Sequence, residues 1–253
     1  MRAESVIGVL SGCGGAGASV FASILAGCSA ARSGHAFLID CDPLGGGIDV
    51  LLGCEQLPGP RWAQVRLRGG PLDPMVLRES LPRWQDVSLL AADTALPLDP
   101  HAVGQVIDSA ASASPVLLDL PRAHSPVRAA AVQRCDRIVL VTPAEVRGVT
   151  ASALVALELD PARTSLVVRG SSRSLPARRI GEFLGLPVLG ELPFDPASLR
   201  PDGLALQRIR RQTRRVADSV LDSVQRGRVE SAPDGAEDTP PAPRSEPSAL
   251  AVR

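Results

Sequence analysis

The sequence contains no lysine and no asparagine, so its 27 basic residues are all arginine. A coding-composition bias is the simplest origin of such a gap. Whatever its origin, the gap excludes a lysine–phosphate contact anywhere in the chain. Aromatic residues make up 2% of the chain against 45% hydrophobic residues, so a core must rest on Leu, Val, Ile and Ala. Metal-ligand spacing is missing too. The five cysteines, Cys13, Cys28, Cys41, Cys54 and Cys135, form no C-x-x-C pair and have no histidine cluster beside them, which argues against a zinc site. An odd number of thiols without a secretory signal reads as reduced cysteines in a cytoplasmic protein. The N-terminal apolar run is too short to span a bilayer and stands in the wrong order for a signal peptide.

What is present is a chain of 253 residues with zero formal net charge, enough to bury one substantial core. The expected division is one domain over residues 1–226 and a tail over 227–253. Within the tail, residues 231–248 are dense in Pro, Ala, Glu and Asp and almost free of bulky apolar side chains. Such a segment cannot offset its ordering entropy and is expected to be disordered. Ahead of it, continuously apolar runs suit strands buried on both faces: 5–10, 36–39, 87–90, 115–118, 137–141, 165–168 and 188–189. Helical patterns fall at 19–32, 101–113, 125–134, 146–158 and 176–184. A last helix at about 204–224 carries Leu206, Ile209, Val216 and Val220 on one face. Residues 56–85, broken by Pro58, Pro60, Gly69 and Gly70, suit short helices at 62–66 and 74–80. Strands alternating with helices predict an α/β fold, a doubly wound and mostly parallel sheet with helices on both faces.

The first strand runs directly into Ser11-Gly12-Cys13-Gly14-Gly15-Ala16-Gly17-Ala18-Ser19 and then into an apolar helix. A glycine-rich turn between a strand and a helix N-terminus is a phosphate cradle. Glycine permits positive φ, the amides converge, and the helix dipole favours an anion. The candidate nucleotide-binding residues are Gly12, Gly14, Gly15, Ala16, Gly17, Ala18 and Ser19. A tight structural turn is the alternative reading of the same glycines.

These residues resemble the deviant Walker A motif of the ParA/MinD family of P-loop ATPases, G-K-G-G-x-G-K-S/T, laid on residues 12–19. Gly12, Gly14, Gly15, Gly17 and Ser19 match. The family's signature lysine, which reaches a partner's nucleotide across a dimer, falls on Cys13, and its ordinary P-loop lysine falls on Ala18. Asp40-Cys41-Asp42-Pro43 with the following Gly45-Gly46-Gly47-Ile48-Asp49 resembles the switch I segment. Leu118-Asp119-Leu120-Pro121 resembles Walker B and switch II. Residues 136–142 and 186–195 resemble the late strands, and Arg169 sits near the position of an asparagine that helps hold adenine. The segments Gly59-Pro60-Arg61-Trp62-Ala63 and Asp119-Leu120-Pro121-Arg122 resemble most the CpaE-like branch, in the actinobacterial form associated with septum-site determination or pilus-assembly secretion. The receiver-like domain that often precedes it is expected to be absent.

The resemblance implies ATP or ADP with Mg²⁺ as cofactor. Ser19, Asp42 and Asp119 would be the metal-holding residues, and Asp42 and Asp119 the catalytic candidates. It also implies protein partners of a division or pilus/secretion system, a possible homodimer, and a cytoplasmic location with peripheral contact at the inner membrane face left open. Truncating one partner of a buried charge pair costs about 2–5 kcal/mol, and loss of transition-state charge in phosphoryl transfer costs on the order of 10³ in rate. The expected function is therefore a regulator with weak or no ATP hydrolysis. The alternatives are an active ATPase that dimerises on ATP, with Arg122 or Arg147 replacing a lysine, and a membrane- or DNA-binding module using Arg208, Arg210, Arg211, Arg214 and Arg215. No aromatic residue interleaves with those arginines, which argues against nucleic acid. Cys13 and Cys41 leave open a thiol pair near the loop or two inert buried cysteines.

Overall fold

Short Asp-Pro and Ser-Pro pairs set the starts of three helices. Asp73, Asp99 and Ser125 accept hydrogen bonds from backbone amides of α3 (Pro74–Ser80), α4 (Pro100–Ala110) and α5 (Pro126–Val132), each with proline in its first turn. A capping oxygen satisfies an orphan amide, and proline has no amide to orphan. Glycines in the left-handed conformation end α1 (Ala18–Ser33), α2 (Ile48–Leu52) and α7 (Ala177–Leu184). The computed structural model describes residues 4–67, 72–93, 97–171, 175–195, 199–200 and 203–230.

The strands are β1 (Val6–Ser11), β2 (Ala36–Asp40), β3 (Arg83–Trp84), β4 (Val87–Leu90), β5 (Val116–Leu120), β6 (Arg137–Pro143), β7 (Thr164–Arg169) and β8 (Val188–Leu192). They form one sheet in the order β3-β4-β2-β5-β1-β6-β7-β8. All neighbours pair in parallel except β3, which runs antiparallel along the edge beside β4. One apolar layer packs the sheet against α3, α4, α5, α6 (Val146–Ala156) and α7. The other packs it against α1, α2 and α8 (Arg211–Glu230). The fold is thus the doubly wound α/β sheet expected from the sequence.

The differences lie in short or local features. β3, two residues long, carries no readable alternation. The last helix was expected from about 204. Instead Gly203–Leu204 pairs with Leu199–Arg200 in a small hairpin, and Leu206–Arg208 forms a single 3-10 turn before α8 begins. Leu206 and Ile209 are nevertheless buried with Val216 and Val220, so the apolar spacing was read correctly and its backbone was not. Arg208 and Arg210 accordingly precede the helix. The short helix expected at 62–66 is a 3-10 turn, Trp62–Gln64. α8 continues to Glu230. Residues 231–248 and the pair Gly69-Gly70 lie outside the described residues. Among the described residues no helix is long and apolar enough to cross a membrane.

Arg61 fastens the segment after α2. Its guanidinium reaches Asp49 at 3.1 Å and the carbonyls of Leu57, Gly59, Cys54 and Glu55 at 2.8–3.1 Å. Next to it, Trp62 Nε1 donates to the Asp40 carbonyl at 2.7 Å, tying this segment to the end of β2.

Candidate nucleotide site at the carboxyl edge of the sheet

The sheet reverses its winding at β1, which pairs with β5 on one side and β6 on the other. In such sheets the crevice beyond the carboxyl ends of the strands is the binding position. Here a cavity of about 680 Å³ runs along that edge, lined from Asp40 and Asp42 past β2, across the loop after β1, to Arg169 on β7 and Thr213 on α8.

The loop is tied at its base, where the Gly12 amide donates to the Val141 carbonyl at 2.9 Å, and closed on itself by Ala16 N to Cys13 O at 3.3 Å. Gly15 and Gly17 hold φ of 74° and 89°, where a side chain would be strained. Gly17 offers α1 no side-chain cap, so the first amides of this 16-residue helix stand without intrahelical partners at its positive end. Added Cβ atoms on Gly14 or Gly15 would meet nothing within 4 Å, which leaves that face of the loop open to a ligand.

Gly14, Gly15, Ala16, Gly17, Ala18, Ser19, Asp42 and Asp119 all line the cavity. Gly12 does not. A Cβ there would lie 1.9 Å from Ser152 Oγ, so this glycine answers to packing against α6. Ala18 is buried and Cys13 half-buried, both packed toward the α1 side of the sheet. Cys41 belongs to the apolar layer on the opposite face, which removes the thiol-pair reading. All five cysteines are free thiols, and burial raises the Cys41 thiol well above its usual range.

Asp40 and Asp119 stand side by side in register at the ends of β2 and β5. Asp40 is 1% exposed and accepts from the amides of Asp42, Ile48 and Ala92 at 2.9, 3.2 and 3.4 Å. Burial pushes its carboxyl up to about 8, and the charge of Asp119 adds to this against the pull of the three amides. Burial likewise raises Asp119 to about 7, opposed by a hydrogen bond from Ser19 and reinforced by Asp42. Two adjacent buried carboxyls with no lysine opposite them therefore keep protons into the neutral range.

The cation touching the loop comes from a strand end far along the chain. Arg169 Nη1 donates to the Gly15 carbonyl at 2.8 Å, and the guanidinium lies 5.4 Å from the centre of the Phe194 ring. Arg122 also lines the cavity, whereas Arg147 is exposed on α6 and does not. The sequence placed Arg169 near a base-holding position but gave no sign that it reaches the loop. Thr213 carried no signal at all, being one polar residue in a helix start.

Ser19, Asp42 and Asp119 offer the hard oxygen donors that suit Mg²⁺. Among the described residues no group of three or more His, Cys, Asp and Glu side chains is arranged to hold a metal unaided. The donor set therefore fits Mg²⁺ only in company with phosphate oxygens.

No family model matches the chain. Two curated relatives, both uncharacterised proteins of Mycobacterium tuberculosis (strains CDC 1551 / Oshkosh and ATCC 25618 / H37Rv), are 38% identical over 212 residues, or 81% of this chain. The chain spans 59% of the length of these relatives. Among solved structures, the MinC:MinD cell division protein complex of Aquifex aeolicus superposes with a TM-score of 0.67 at 18% identity, over 92% of this chain and 98% of that one. The ParA family ATPase of Chlorobium tepidum gives 0.66 at 16%, over 88% and 99%. The septum site-determining protein MinD of Pyrococcus horikoshii, complexed with Mg-ADP, gives 0.64 at 18%, over 88% and 98%. The chain has the fold of the MinD and ParA P-loop ATPases.

Proposed function

We propose that the chain binds a nucleoside di- or triphosphate with Mg²⁺ at the loop after β1, hydrolyses it feebly or not at all, and serves as a nucleotide-responsive regulator. The observation that carries this reading is an intact glycine cradle with Cys13 and Ala18 in the two positions where ParA/MinD loops place lysine. The loop amides would hold the inner phosphates. Ser19, Asp42 and Asp119 would hold Mg²⁺ together with phosphate oxygens, and the ion would supply charge neutralisation on the phosphates. Asp42 and Asp119 remain the candidates for orienting water, but the charge that would stabilise a transferring phosphoryl group is missing.

The likeness to MinD and ParA structures, with the switch-like segments of the CpaE-like branch, supports membership of that family. It also supports a role in septum placement or in positioning a pilus or secretion apparatus. Such a role would be exercised through protein partners, as in the MinC:MinD complex, and through a homodimer formed across the loop face.

Calorimetric titration with a panel of purine nucleoside di- and triphosphates plus Mg²⁺, paired with a phosphate-release assay, tests the reading. Binding without appreciable turnover is expected. Robust turnover would replace this reading with a working ATPase, and no binding at all would leave a scaffold without a nucleotide.

A further inference from the structure

The amino end of α1 and a guanidinium meet at one spot. Arg169 Nη1 donates to the Gly15 carbonyl at 2.8 Å, and Arg169 lines the cavity. A Cβ built on Gly17 would stand 3.2 Å from that nitrogen and 3.8 Å from the guanidinium carbon. Gly17 is the cap residue of α1 and offers it no side-chain bond, and no acidic residue stands in the first turn. The guanidinium therefore lies beside amides that lack intrahelical partners.

Neither feature neutralises the other. A helix macrodipole favours an anion at its amino end and a cation at its carboxyl end, yet here a full positive charge stands at the amino end. Among the described residues Arg169 has no carboxylate partner, and its Nε and Nη2 have no acceptor. Phe194, its ring centre 5.4 Å from the guanidinium carbon, holds the group by cation–π attraction and brings no counter-charge. An anion in the cavity would answer the helix end and the guanidinium together. No lysine can do so, because the chain has none. Arg122 also lines the cavity, but among the described residues it is tied only through its backbone carbonyl, which accepts from Arg128 Nη1 at 2.9 Å.

We propose that Arg169 supplies, from the end of β7, the positive charge that the lysine-free loop lacks, and that it serves the phosphates of the ligand. The proposal rests on the nucleotide-site reading above. A guanidinium suits the task, being always charged and presenting parallel N–H groups that match phosphate oxygens. With Nη1 bonded to Gly15, the parallel Nε and Nη2 pair remains for the ligand. The charge is fixed on the loop before chemistry begins, so it strengthens binding in the ground state and the transition state alike. Uniform binding of that kind raises affinity without raising turnover, which leaves feeble hydrolysis in place.

The test is a calorimetric titration of the full chain with MgADP and with magnesium pyrophosphate, which carries phosphates and no nucleoside. Arg169→Gln should weaken both ligands by one common factor, on the order of 30-fold or more. Arg169→Lys keeps the charge and loses the parallel fork, so it should recover part of that loss. Arg147→Gln removes an exposed arginine of α6 outside the cavity and should change neither affinity. Thermal melts without ligand check that each variant is folded. Where Arg169→Gln does not fold, Arg169→Lys makes the comparison, its smaller loss again common to both ligands. Unchanged affinities in the Arg169 variants would overturn the assignment and leave the nucleotide site standing. So would a loss confined to MgADP, or parent binding of MgADP without pyrophosphate, since either places the contact on the nucleoside. An equal loss in Arg147→Gln would reduce the effect to net charge and overturn the assignment. Binding of neither ligand by the parent would overturn the nucleotide site, and the role of Arg169 with it.

Discussion

Arg169 Nη1 donates a 2.8 Å hydrogen bond to the carbonyl of Gly15, a residue 154 positions earlier in the chain. The bond carries a guanidinium from the end of β7 onto a glycine loop that has no cation of its own. The same nitrogen would stand 3.2 Å from a Cβ added to Gly17. Gly17→Ala meets both obstacles, a φ of 89° and the guanidinium. It should cost about 1–2 kcal/mol from the left-handed conformation alone, measured by urea denaturation.

Gly12→Ala should destabilise more sharply, because its Cβ would overlap Ser152 Oγ at 1.9 Å and Ser152 Cβ at 2.8 Å. Overpacking of this kind costs about 1–3 kcal/mol. Ser152→Gly in the same chain should recover part of the loss. A double-mutant cycle with no coupling between the two sites would refute the contact.

Arg61 and Asp49 form an ion pair with both side chains 9% exposed. Arg61→Ala strands a buried carboxylate together with the four carbonyls the guanidinium serves, and should cost about 3–5 kcal/mol. Arg61→Lys should rescue little, since an ammonium has about three donors and cannot reproduce the planar fork. Equilibrium unfolding of the two variants beside the parent reads both effects.

The acid pair gives stability a pH dependence of defined sign. Burial raises Asp40 to about 8 and Asp119 to about 7 from the ordinary carboxyl value of 3.8. Between the lower and upper values the folded state binds more protons than the unfolded chain, so this contribution is fully present below about pH 4. It is lost as pH rises through 7 to 8. Asp119→Asn, which can still accept from Ser19, should flatten the decline. Urea midpoints at pH 5, 6.5 and 8 for parent and variant measure it, and parallel curves would contradict the assignment.

Ala18→Lys restores a lysine at a position that lines the cavity. It should raise MgATP affinity by about 30-fold or more, the equivalent of the lower end of a charge-pair contribution. Calorimetry on the variant and the parent gives the ratio directly. An unchanged affinity would show that a phosphate does not lie against this residue.

The sequence by itself determined everything set by local pattern. Apolar runs named seven of the eight strands of the main sheet, because strands covered by helices on both faces are apolar at most positions. Asp73-Pro74, Asp99-Pro100 and Ser125-Pro126 fixed helix starts through caps made within a few residues. The glycine loop and the aspartates at the ends of β2 and β5 were legible for the same reason, since each belongs to a short segment whose geometry its own residues dictate. Only the tertiary structure decided what depends on distant segments meeting. Helical spacing continued through Leu206 and Ile209, yet Gly203, at φ 107° and against the backbone of Leu52, holds the chain in a hairpin there instead. The seating of Arg169 on Gly15, the pairing of Asp40 with Asp119, and the meeting of Asp195 and Thr213 at one end of the cavity all follow from strand order. Sheet order is set by long-range packing, and that information is spread over the whole chain rather than carried by any one window of it.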